Sequence, residues 1–66
     1  MKRRHVVKHP FRATFVETGE GRTFNANEWL RWHPEDPSDP VIFEADLFQF
    51  KADRAEFLKS VELLYP

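Results

Sequence analysis

Asn25-Ala26-Asn27-Glu28-Trp29-Leu30-Arg31-Trp32-His33-Pro34 is the stretch on which the architecture turns. Asn25 and Glu28 have the spacing of a capping box, in which the Asn side chain accepts from a free N–H of the first turn and the Glu reaches back. Phe24 stands where a hydrophobic staple belongs. Pro34 stops a helix, through its ring and its missing donor. The spacing predicts a short helix over residues 26–33, with Trp29 and Trp32 or His33 on one side and Leu30 elsewhere. About two turns do not hold in water unaided, so this helix must be packed.

Upstream, Phe11-Arg12-Ala13-Thr14-Phe15-Val16 alternates with the period of a half-buried strand. The strand can begin earlier, at Val6-Val7, with Pro10 placing that part on an edge. Thr18-Gly19-Glu20-Gly21 reads as a turn, and Arg22-Thr23-Phe24 as the returning strand of a hairpin.

Downstream, residues 33–40 form a loop stiffened by Pro34, Pro37 and Pro40. In residues 41–50, Val41, Phe43, Ala45 and Leu47 share a face, whereas the other face changes character near Asp46. One long strand, a bulged strand, and a strand to Ala45 followed by a turn all fit that pattern. Asp53 and Glu56 form a second capping pair, opening an amphipathic helix over residues 53–64. Phe57, Leu58, Val61, Leu64 and Tyr65 line its apolar arc, Arg54 intrudes on it, and Leu63 faces water. The expected fold is α+β, in the order β-β-α-β-α, with a small, mainly antiparallel sheet.

A chain of 66 residues supports one core and buries only about 60% of its unfolded surface. With no cysteine, disulfides and thiolate ligands are excluded, leaving seven Phe, two Trp and one Tyr to supply buried area. A homodimer would extend that core. No apolar run resembles a signal peptide or a membrane span, so a cytoplasmic location is expected and no membrane partner. Charge divides the chain into a basic, flexible arm over residues 1–10 and a single domain over residues 11–66.

Enzymatic chemistry is not expected. Ser38 and Ser60 occupy a Pro-rich loop and a helix flank, not a strained elbow. Glu44 and Asp46 are neighbours on a strand face, which reads as a solvated edge more readily than as an acid–base pair. His5, His9 and His33 match no zinc spacing with Glu35, Asp36 or Asp39, and Gly19-Glu20-Gly21 is too short for a phosphate loop. No metal or other cofactor is expected.

Binding remains. Two short helices and three strands cannot enclose every ring, and Trp and Tyr dominate interface hot spots. The expectation is a protein-interaction module: an adaptor, accessory subunit or inhibitor of a larger protein. Its expected interface comprises Trp29, Trp32 and Leu63 beside an acidic loop of Glu35, Asp36 and Asp39. The alternative is nucleic-acid binding through Lys2, Arg3, Arg4, Lys8 and Arg12. Against it stand an acidic body and the lack of a basic recognition helix.

Overall fold

Alternation of inward and outward side chains is clearest in strands such as Trp29–Trp32 and Val41–Ala45. The computed structural model describes residues 1–64, and in them seven strands and one helix follow in the order β1 (Arg3–Val7), β2 (Phe11–Phe15), β3 (Gly21–Phe24), β4 (Trp29–Trp32), β5 (Val41–Ala45), β6 (Phe48–Ala52), α1 (Arg54–Ser60) and β7 (Val61–Leu63). All pairings are antiparallel, in one sheet ordered β3-β2-β6-β5-β4-β1-β7.

The sheet curls tightly. Phe24 on β3 and Phe43 on β5 lie three strand positions apart, about 14 Å in a flat sheet. Their ring centroids are nevertheless 5.3 Å apart. Helix α1 packs against both β2 and β7, so it spans the gap between the two sides of the curl. Its Phe57 enters the concave face and meets Phe11, Trp32 and Phe43 edge-on or tilted at 5.6, 4.9 and 5.1 Å. Among the described residues, no helix is long and apolar enough to cross a membrane.

Besides the additional strands β1 and β6, the expected order β-β-α-β-α is overturned at two places. The first is the tryptophan segment, which is strand β4 and not a helix. The expected reach of Glu28 does occur, since its Oε2 accepts from the Asn25 N–H at 2.8 Å, but it closes a turn. Asn27 sits at φ 76, outside the right-handed helical region. The Asn27 N–H then donates to the Val7 carbonyl and the Val7 N–H to the Glu28 carbonyl, both at 2.8 Å. Strand β1 thus supplies hydrogen-bond partners to Asn27 and Glu28 and along residues 29–32, and lets Leu30 and Trp32 point inward together.

The second is the C-terminal helix. Asp53 caps it as expected, accepting from the Glu56 N–H at 3.0 Å. It stops at Ser60, where Val61 is extended and pairs with Val7. The Ser60 carbonyl accepts from the N–H groups of Lys8 and His9, at 2.7 and 3.2 Å, and the Leu64 N–H donates to the Arg4 carbonyl at 2.9 Å. Here too β1 outcompetes the helix. Leu58 and Leu64 are exposed, so the expected apolar arc is not buried as a unit, and Tyr65 lies outside the described residues.

The hairpin over residues 11–24 forms in the expected place, with Phe11 opposite Phe24 and Gly19 at φ 78. Of the three readings of residues 41–50, the strand followed by a turn holds: Ala45 pairs with Phe48 across Asp46-Leu47. Residues 1–10, set apart by their charge, contain β1, which pairs with β4 on one side and β7 on the other.

Candidate functional site

Because β4 alternates, its two indoles part company. Trp32 is 5% exposed and packs against His5 and Phe57, whereas Trp29 is 55% exposed on the convex face. The pairing of Val6 with Trp29 and Arg4 with Arg31 brings Arg4 diagonally across Trp29, its guanidinium 5.2 Å from the ring centroid.

Beside Trp29 stands the turn between β5 and β6. A two-residue hairpin turn of this kind needs positive φ at both central residues, which favours Asn-Gly or Asp-Gly. Asp46 and Leu47 occupy them at φ 51 and 71, and Leu47 is 97% exposed. Phe48, 52% exposed, follows and meets Phe15 edge-on at 5.8 Å. Trp29, Arg31, Glu44, Ala45, Asp46 and Leu47 surround a shallow hollow of about 220 Å³.

Arg22 holds this end of the molecule in place. Its guanidinium lies 4.2 Å from the Phe24 centroid and 5.3 Å from that of Phe50, covering the mouth of the core. It donates to Glu28 Oε1 at 2.9 Å and pairs with Asp46 Oδ2 at 2.7 Å. The turn before β4 and the Leu47 turn are therefore tied to one cation.

The expected interface residues do not form one surface. Trp32 belongs to the core, and its indole N–H finds no acceptor. Asp36 and Asp39 are engaged internally: Asp36 Oδ1 accepts from the Ser38 N–H at 2.9 Å and Asp39 Oδ1 from the Arg54 N–H at 3.3 Å. The Arg54 guanidinium also donates to the carbonyls of Asp36 and Ser38, both at 3.1 Å, so the intruding cation clasps the loop to α1. Glu35 is exposed 4.0 Å from the Met1 amine, and Leu63 is exposed on β7. Leu47 and Phe48 were not among the expected site residues. The signal available for them was a leucine following Asp46 where a turn was one of the open readings.

Of the expected basic residues, Lys2, Arg3 and Arg4 cluster, joined by Arg31, which was not among them. Lys8 lies past the end of β1, in the bend that follows Val7. Arg12 is on β2 and donates to Thr23 Oγ1 at 3.0 Å. Glu44 and Asp46 each engage a different cation, Lys2 at 3.1 Å and Arg22 at 2.7 Å. Among the described residues no three His, Asp or Glu side chains gather as a metal site. No family model, curated protein or solved structure is detectably similar to this chain.

Proposed function

We propose that the domain is a protein-interaction module, an accessory or inhibitory subunit of a larger protein, whose contact surface centres on Leu47 with Trp29 and Phe48 beside it. The proposal is one of binding without catalysis, in the cytoplasm, where a chain without cysteine needs no oxidative folding.

The supporting observation is Leu47 itself. A left-handed conformation costs an L-residue roughly 1–2 kcal/mol, and a side chain in water recovers nothing by burial. Glycine would make the same turn with less strain. A leucine here serves neither the turn nor the core, so its remaining use is an apolar knob for a partner's pocket. The Arg22 ion pair to Asp46 holds that knob in position before binding, which lowers the entropy lost on association.

The test is Leu47→Gly. Thermal or urea unfolding of the variant should show a gain of about 1 kcal/mol. The partner retained by the wild-type chain from its native host, once purified, should bind the variant at least about 30-fold more weakly, as for a hot-spot residue. Equal affinity for both chains would sink the reading. A wild-type solution mass of two chains that falls to one in the variant would assign the surface to a second copy instead.

A further inference from the structure

Beside the Leu47 surface, with which it shares Trp29, the convex face of β1 and β4 carries Arg4 and Arg31, and Arg3 stands at the start of β1. We propose that Arg3, Arg4 and Arg31 form a phosphate-binding strip for single-stranded nucleic acid, with Trp29 as its stacking platform.

Arg4 and Arg31 stand directly opposite each other across the β1–β4 ladder, and like charges so placed destabilise a sheet. Arg31 also faces Glu44 across the β4–β5 ladder, but Glu44 pairs with Lys2 at 3.1 Å. Among the described residues, Arg3, Arg4 and Arg31 make no ion pair. Glu62, opposite Val6 on β7, forms no ion pair with them. Arg3, Arg4 and Arg31 line one open groove of about 560 Å³. Three guanidiniums around one opening, with no ion-pair partner among the described residues, call for an anion with several charges in sequence.

The exposed indole selects among polyanions. A ring flanked by a guanidinium suits a base and its phosphate, the combination found in single-strand sites. A duplex reader would place a helix or a projecting two-stranded ribbon in a groove, but α1 is held to the core by Phe57 and β1 and β4 are interior strands of the sheet. Glu28 and Asp46, both held by Arg22, lie beyond Trp29 and keep the phosphates on the β1 side.

The full chain is titrated into a labelled oligothymidylate of about twelve nucleotides and followed by anisotropy. Three phosphate contacts should give a log–log salt slope of about −2, with quenching of Trp29 emission. Arg4→Glu puts a carboxylate opposite Arg31, so it should melt no lower than wild type yet bind at least about tenfold more weakly. Arg31→Gln should weaken binding in the same direction with less change in charge. Leu47→Gly should bind the oligonucleotide like wild type, which separates this strip from the proposed protein-binding surface. No binding at low salt, undiminished binding by Arg4→Glu and Arg31→Gln, or binding confined to phosphatidylserine vesicles would overturn the proposal.

Discussion

Trp29 and Trp32 stand on the same four-residue strand and lead opposite lives. Trp32 points into the concave face, where it touches the rings of His5 and Phe57. Trp29 points out, with Arg4 on one side and the Leu47 turn on the other. The inner face consists of apolar side chains in mutual contact, and its contribution is burial. The outer face places an indole, guanidiniums and a strained leucine where solvent can reach them. Large aromatic mass therefore has two uses in a chain this small, and parity along the strand decides which ring serves which.

The contrast can be broken most severely from within. Trp32→Ala should cost about 3–5 kcal/mol, because the curl leaves a cavity between β4 and α1 that cannot collapse freely. Urea unfolding would measure it, and a loss below about 1 kcal/mol would mean that the inner face is not the main source of stability. Arg22 marks the boundary between the faces. Its removal in Arg22→Ala loses two ring contacts and two partly exposed ion pairs, worth about 1–2 kcal/mol together. It should also loosen the Asp46-Leu47 turn, visible as faster amide exchange at Leu47 and Phe48. Trp29→Ala should be the mildest, within about 1 kcal/mol, since the ring is more than half exposed and its Arg4 contact lies at the surface. Its absence should remove the component of tryptophan emission that acrylamide quenches readily and leave the shielded Trp32 component.

Much of the local architecture was legible in the residues. The 11–24 hairpin follows from alternation and a glycine at the turn, and the Asp53 cap from its spacing to Glu56. The contact between Asn25 and Glu28 was legible too, although the element it belongs to was not. Trp29-Leu30-Arg31-Trp32 satisfies a helical and a strand period at once over so short a run, and a partner strand broke the tie. The same partner, β1, ended α1 at Ser60. Reading residues 1–10 by charge concealed their alternation, His5 and Val7 inward and Arg4 and Val6 outward. The candidate surfaces were legible only in part: Trp29, Arg3 and Arg4 by residue type, Leu47 and Phe48 only through the possible turn after Asp46, and Arg31 not at all.

The amino-acid order alone determined the antiparallel character, the ring-rich core and the positions where helix α1 begins and the first hairpin turns. These depend on contacts within a few residues, which spacing reveals. Only the tertiary structure decided that residues 29–32 and 61–63 are strands, which indole is buried, and which cations meet. Those outcomes depend on β1 offering hydrogen bonds to segments more than twenty residues away. Such a choice is made between competing partners for the same backbone groups, and no local pattern records the winner.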